Sequence, residues 1–174
     1  MSLTMRVDMN GLSELLDELE DAALSAARPA AQAGTQVLYD EVRRNVAQLG
    51  QVSGNLAGAI YQVYSRDNSA EGRATYHVSW NTRKAPHGQL VEFGHIQRYA
   101  TYIGRDGKWY TAVRAEMRGK RRPGRWASTA EKDAYYVKLP QPKQVPAKSF
   151  VRAAMARAGA AAEAVERELL RRIA

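Results

Sequence analysis

The chain has 174 residues, of which 45% are hydrophobic and 25% are charged, and its net charge is +8. This length and composition are typical of one globular domain, residues 1–174, and exclude a collagen, a wholly disordered chain and a polytopic membrane protein. The absence of cysteine excludes disulfides, cysteine-ligated zinc, iron–sulfur clusters and thiol catalysis. The positive charge indicates an anionic partner.

The N-terminal part of the chain predicts a long helix. Four leucines follow the spacing of an amphipathic helix over residues 11–27: Leu12, Leu15, Leu16 and Leu19. Pro29 lacks a backbone N–H, so it either kinks this helix or begins a second one that runs to about Leu49. The alanine-rich stretch 22–33 has small side chains that allow close packing against another helix or another copy of the chain.

The outer face of this predicted helix is acidic. Its carboxylates are Glu14, Asp17, Glu18 and Asp21. A catalytic pair of carboxylates needs surroundings that separate the two pKa values, and a run along an outer face does not supply them. We therefore interpret the acidic face as solvated or as a docking surface.

A change of the hydrophobic period to two predicts an antiparallel β-hairpin in the middle of the chain. Residues 60–65 are rich in strand-forming side chains, and apolar and polar residues alternate over 73–81. Ser53 is suited to cap a helical turn before this hairpin. After it, residues 86–94 predict a short helix, anchored by Leu90, Val91 and Phe93.

Most of the positive charge lies in one segment. Residues 95–148 contain 13 lysines and arginines against four acids, a net charge of +9, whereas the rest of the chain sums to −1. An Asp-Gly pair at 106–107 predicts a β-hairpin, residues 118–130 predict a mobile loop, and residues 135–139 predict a strand. The three prolines within 140–146 favour an extended connector. We therefore expect a basic insertion, residues 95–145, within the single domain.

Tryptophan and tyrosine residues are interleaved with these cations, which suits contact with nucleic acid through stacking and phosphate neutralisation. The candidate contact residues, for nucleic acid or for a protein partner, are Arg118, Lys120, Arg121, Arg122, Arg125 and Trp126. No base-reading element is apparent, so DNA binding would not depend on sequence. Two alternatives are open: the aromatic side chains pack internally, or the basic surface docks on an acidic protein.

The C-terminal segment predicts the second long helix, with Ser149 as its cap. Its apolar stripe is Phe150, Ala154, Ala158, Ala161, Val165, Leu169 and Ile173. Arg171 and Arg172 lie in the final turn, where the helix dipole favours cations.

Catalytic and metal-binding patterns are weak in this sequence. His87, Glu92 and His95 form the one candidate metal cluster, but their spacing does not match a zinc signature. We interpret them as ordinary surface or interface residues. The sequence has neither a P-loop nor a GxSxG motif. It predicts no enzyme activity, no catalytic residue and no cofactor.

Three short motifs occur in order along the chain: Ser53-Gly54-Asn55-Leu56 followed by Ala59-Ile60, then Val91-Glu92-Phe93-Gly94, and then PAKSFVRAA from Pro146 to Ala154. With the terminal helices, they resemble the tail-component proteins of long-tailed phages and prophages, related to lambda-type minor tail protein Z. His95 and Ser149 depart from the family's motifs. The second and third motifs are also much further apart here than is usual in the family.

Physical chemistry suggests a structural role for the motif residues Gly54, Leu56, Glu92, Phe93, Gly94, Pro146 and Phe150. The glycines permit backbone turns that a side chain would hinder. Leu56, Phe93 and Phe150 are large apolar side chains beside those turns, and we expect them to be buried anchors.

The resemblance implies a structural protein that completes the phage tail or joins head to tail. It would act as a ring-type homo-oligomer with other tail or neck proteins, assembling in the host bacterial cytoplasm and residing in the virion. No membrane partner is expected. The alternative is a prophage-encoded accessory protein that binds DNA regardless of sequence. We expect an α+β fold, in which a long N-terminal helix and a C-terminal helix pack on a small antiparallel sheet that the basic insertion extends.

Overall fold

The computed structural model describes residues 10–50, 54–124 and 126–173, with side chains of the first helix from Asp17 onward. Among these residues, the helices are α1 (Asn10–Gln48), α2 (Gly88–Phe93), α3 (Thr129–Tyr135) and α4 (Ala158–Ile173). The strands are β1 (Ile60–Tyr64), β2 (Tyr76–Trp80), β3 (His95–Tyr99), β4 (Thr101–Ile103), β5 (Trp109–Thr111) and β6 (Lys138–Val145). They form three antiparallel pairs, so the predicted α+β class is confirmed.

The described chain divides into two compact units. The first contains the described residues of Met1–Asn45 and Val151–Ala174, together with Ile60–Trp80. The second contains Asn81–Phe150 and the described residues of Val46–Ala59. The predicted insertion 95–145 falls entirely within the second unit. The single-domain organisation of the whole chain stays a prediction.

Helix α1 is continuous through Pro29 and extends over 39 residues. Of the two predicted alternatives, a second helix beginning at Pro29 is therefore wrong. The proline removes one hydrogen bond, while Ala26 and Ala30 on either side of it are fully buried. The alanine-rich stretch thus contributes these two side chains to packing within the chain. The predicted cap Ser53 lies outside the described residues.

The first unit is built on α1. Strands β1 and β2 form the predicted hairpin, with Ile60 opposite Trp80. The hairpin lies against the helix: Gln62 Nε2 donates a hydrogen bond of 2.7 Å to Gln36 Oε1. Helix α4 packs closely against α1 at Gly34. A Cβ at this position would come within 2.6 Å of a Val165 methyl group and 3.0 Å of the Ala161 carbonyl oxygen.

The second unit contains two further sheets. Strand β3 pairs with β6, so that His95 lies opposite Val145, and β4 pairs with β5 around the predicted Asp-Gly turn. The expectation that the insertion extends the β1–β2 sheet is wrong, because among the described strands β1 and β2 pair only with each other. Both of these strand pairs join residues of the insertion to one another.

Two of the three prolines of the predicted connector, Pro140 and Pro142, lie in strand β6 instead. The β3–β6 register is irregular between Gln97, which faces Lys143, and Tyr99, which faces Lys138. Pro140 and Pro142 fall in this irregular part, where their missing N–H groups disrupt the ladder least. The extended backbone was predicted correctly, but its pairing with β3 was not.

Helix α3 replaces the start of the strand predicted at 135–139. The Ser128 hydroxyl accepts a hydrogen bond from the Glu131 backbone N–H, at 3.2 Å, while the Glu131 carboxylate accepts one from the Ser128 N–H, at 2.7 Å. This capping box satisfies two backbone donors and begins a helix at Thr129. The Ser128 N–H, and after it the Ser128 hydroxyl donating to the same carboxylate, hold the pKa of Glu131 below its ordinary value.

The C-terminal helix begins later than predicted. A 3-10 segment at Arg152–Arg157 precedes α4, and Ser149 does not cap it. Instead, the Ser149 hydroxyl donates a hydrogen bond of 3.1 Å to the Glu92 carbonyl oxygen. Ser149 therefore belongs to a contact between two distant parts of the sequence.

Candidate interaction surface

The second and third sequence motifs meet in the second unit. The N–H of Phe150 donates a hydrogen bond of 2.7 Å to Glu92 Oε2, and the N–H of Lys148 donates one of 2.8 Å to the Val91 carbonyl. The Glu92 side chain is only 1% exposed, and Phe150 is fully buried. We call this junction of residues 91–94 with residues 145–150 the clasp. It closes the two ends of the insertion.

Gly94 allows the two segments of the clasp to approach each other. Its φ of 72° and ψ of 173° are accessible essentially only to glycine. A Cβ there would lie 2.7 Å from the Val145 carbonyl oxygen and 2.8 Å from the Ala147 nitrogen. Gly54 also has a positive φ, 70°, and Leu56 beside it is half-buried.

The prediction that α2 is anchored by its large apolar side chains is wrong. Phe93 is 57% exposed and Leu90 is 47% exposed, whereas Gly88 and Glu92 are the buried residues of this helix. The helix turns its carboxylate inward because that group accepts the Phe150 N–H. Sequence analysis missed this role of Glu92, because an acid between two apolar residues gives no sign of its buried partner.

The basic loop comprises residues 118–124 with Trp126. Arg118, Lys120, Arg121 and Arg122 are all exposed, and Trp126 is 88% exposed. These five predicted contact residues therefore occupy one surface segment. Arg125, the sixth, lies outside the described residues. Pro146, predicted as a motif residue, is an exposed part of the clasp.

Side-chain contacts attach the basic loop to the end of α3. Arg122 Nε donates a hydrogen bond of 2.9 Å to the Tyr136 hydroxyl, and the Tyr135 hydroxyl donates one of 3.1 Å to the Lys120 carbonyl. The Arg122 side chain therefore helps to hold the basic loop against Tyr136. Arg118, Lys120 and Arg121 present their charges to solvent from an attached backbone.

Asp133 on α3 connects this region to strands β3 and β6. Its carboxylate accepts hydrogen bonds from the Lys138 ammonium, at 2.8 Å, and from the Tyr99 hydroxyl, at 2.9 Å. Both contacts, with Lys138 the larger, hold the pKa of Asp133 below its ordinary value. Desolvation, followed by the bond to Asp133, raises the pKa of Tyr99. The negative charge of Asp133 is thus neutralised within the second unit.

The β4–β5 hairpin exposes apolar side chains on both faces. Tyr102 lies opposite Tyr110, and Ile103 lies opposite Trp109, which is 58% exposed. The alternative that the aromatic residues of the insertion pack internally is therefore wrong for this hairpin, although Tyr136 is buried as that alternative expects. Near the turn, the Tyr110 hydroxyl donates a 2.7 Å hydrogen bond to Asp106 and lowers the pKa of that carboxyl.

In the first unit, the first described turns of α1 carry the exposed carboxylates Asp17, Glu18, Glu20 and Asp21. Leu19, predicted to lie in the apolar stripe, is 37% exposed. The side chains of Glu14 and of the three earlier leucines lie outside the described set. This acidic segment, residues 17–21, therefore combines four exposed carboxylates with one partly exposed apolar side chain, Leu19.

The candidate metal cluster is not assembled. Among the described residues, no three His, Cys, Asp or Glu side chains form a group able to hold a metal ion. His87 is exposed, and the carboxylate of Glu92 accepts the Phe150 N–H. In the described part of the chain, no helix has both the length and the apolar character that a membrane span requires.

Because His87 is exposed, His87→Ala should change the free energy of unfolding by less than about 0.5 kcal/mol. Denaturation followed by circular dichroism, with and without added zinc, measures this change. A much larger loss in the variant, together with zinc stabilisation of the wild type alone, would contradict the interpretation of His87 as a surface residue.

Comparison with known proteins gives no relative: no family model, no curated protein and no solved structure matches this chain.

Proposed function

We propose that this protein is a structural, non-enzymatic component of a phage tail or neck, acting as a multimer in tail completion or head–tail joining. The observation that carries the proposal is the clasp. Two motifs that resemble the tail-component family, residues 91–94 and 146–154, are far apart in sequence but contact each other directly through Glu92 and Phe150. The motifs thus act as one structural element, and the insertion between them is an addition to it.

The exposed side chains of the second unit support an interaction role. Trp109 and Trp126 are both more than half exposed, and they lie in the same insertion as the cations of the basic loop. Exposed aromatic and arginine side chains are the residue types that dominate protein interfaces. A tail or neck subunit needs such surfaces for contact with its neighbours.

Assembly with tails tests this proposal directly. Tails assembled in cells that lack the protein should be incomplete in negative-stain micrographs, and the purified protein should restore heads joined to tails. The control is the clasp variant Gly94→Ala, which should restore fewer. Normal particles in the absence of the protein would overturn the proposal.

A sequence-independent DNA-binding function is the second candidate, and the high exposure of Trp126 among arginines favours it. If about six cations neutralise phosphates, the affinity for duplex DNA should fall roughly 10³-fold between 50 and 200 mM salt. Titration of labelled duplexes of unrelated sequence measures this. An Arg118→Ser, Lys120→Ser, Arg121→Ser variant that binds DNA as well as the wild type would contradict this candidate.

A further inference from the structure

The two units carry opposite charges on different exposed surfaces. The acidic segment of α1 presents Asp17, Glu18, Glu20 and Asp21, and residues 7–27 contain no lysine or arginine. The basic loop presents Arg118, Lys120 and Arg121 on a backbone attached to α3. Both surfaces are exposed in the single chain, so each is accessible to another molecule.

Each surface also combines its charge with apolar area. Leu19 lies between the carboxylates and is 37% exposed, although its position in the helical pattern predicts burial. Trp126 follows the cations and is 88% exposed. A partner that matches the basic loop should therefore be an acidic segment with an apolar side chain, and the acidic segment of this chain has that composition.

We infer that the acidic segment of one copy docks on the basic loop of a second copy, an inference that rests on the proposed multimeric role. The two surfaces are different patches of the same chain, so the contact is heterologous. Repetition of such a contact produces a ring if the rotation closes, with each copy donating one acidic segment and accepting another. Charge complementarity of this kind selects partner and orientation.

The same features favour a second copy over nucleic acid as the occupant. A phosphate backbone could neutralise the cations, but it would leave Leu19 uncovered. It would also leave the carboxylates of the acidic segment without a partner of opposite charge. Docking between copies neutralises both charged surfaces and covers both apolar side chains.

A charge exchange between two variants tests the inference. The first variant is Asp17→Lys, Glu18→Lys, Asp21→Lys, and the second is Arg118→Glu, Lys120→Glu, Arg121→Glu. Each variant alone then has like charges on the two surfaces. At about 50 mM salt, where surface charges are weakly screened, each should self-associate about tenfold or more weakly than the wild type. An equimolar mixture should recover the wild-type affinity, because every contact again joins opposite charges.

Matched controls carry the same change of net charge at other exposed positions. They are Asp67→Lys, Glu163→Lys, Glu166→Lys for the first variant and Arg66→Glu, Arg83→Glu, Lys84→Glu for the second. Sedimentation velocity should show that both controls associate like the wild type. Since recovery in the mixture requires two folded partners, misfolding of a variant cannot produce the expected result.

Three outcomes would overturn the inference: a wild-type protein that stays monomeric at low salt and high concentration, variants that associate normally, or a mixture no better than its components. A monomeric wild type whose duplex DNA binding disappears only in the second variant would identify nucleic acid as the occupant of the basic loop. The tail assembly test is read separately. If the protein restores tails but the charge exchange fails, the proposed function stands and the docking mode is wrong.

Discussion

Phe150→Ala is expected to lower the free energy of unfolding by about 3–5 kcal/mol, the usual cost of removing a buried ring. The side chain is completely buried, and its backbone N–H is fixed 2.7 Å from the Glu92 carboxylate, so the site has little freedom to collapse around the cavity. Urea denaturation followed by tyrosine and tryptophan fluorescence measures the change.

The chain contains a matched control, because it has only one other phenylalanine. Phe93 is 57% exposed, and Phe93→Ala should cost about 1 kcal/mol or less. Equal losses in the two variants would show that Phe150 does not hold the clasp in the way described.

The second large effect is expected for Gly94→Ala, which should destabilise the protein by more than about 3 kcal/mol. Two causes add. The backbone of Gly94 has a combination of φ and ψ that costs an L-residue about 1–3 kcal/mol, and the new Cβ would collide with the Val145 carbonyl oxygen at 2.7 Å. The Ala147 nitrogen would lie at 2.8 Å, and since both of these are backbone atoms, neither can rotate away.

Gly107→Ala introduces a side chain at a positive φ without the collision. Gly107 has nearly the same φ, 73°, but no described atom lies within 4 Å of the position that its Cβ would take. This variant should cost only the conformational strain, about 1–2 kcal/mol. A Gly94→Ala loss no larger than that of Gly107→Ala, measured in the same denaturation experiment, would show that the close approach of residue 94 to Val145 and Ala147 is not required.

Local patterns predicted the elements whose stability is local. The hairpin of β1 and β2 follows from alternation, and the β4–β5 turn follows from Asp106-Gly107, because both signals lie within a few residues. The capping box Ser128–Glu131 is also visible in the sequence, and it could have identified α3. It was obscured by the interpretation of residues 118–130 as a mobile loop.

Elements that depend on distant partners could not be predicted in the same way. Strand β6 contains Pro140 and Pro142, which argue against a strand unless its pairing with β3 and the irregular register are known. The burial of Glu92 depends on Phe150, 58 residues away. An acid in an amphipathic pattern is expected to face water, so the helix was predicted with Phe93 inward instead.

The candidate surface was predicted in composition but not in geometry. The cluster of cations and Trp126 is visible as a run in the sequence, and those that the structure describes are exposed. The link from Arg122 to Tyr136 is not visible, because it joins the loop to the end of a helix that the sequence analysis did not predict. Leu19 was predicted to be buried but is partly exposed, because helical spacing alone cannot tell whether another element packs on an apolar stripe.

Because His95 pairs with Val145, the segment between them begins and ends at neighbouring positions in the structure. Opposed residues of an antiparallel pair have Cα atoms about 5 Å apart, a gap that a two-residue turn spans. A chain that lacked residues 96–144 could therefore keep Gly94, Glu92 and Phe150 in their present positions. Conversely, a longer segment would cost little more, because the entropic cost of closing a loop grows only with the logarithm of its length. Evolution can thus change the charged and aromatic residues between the two motifs almost independently of the clasp.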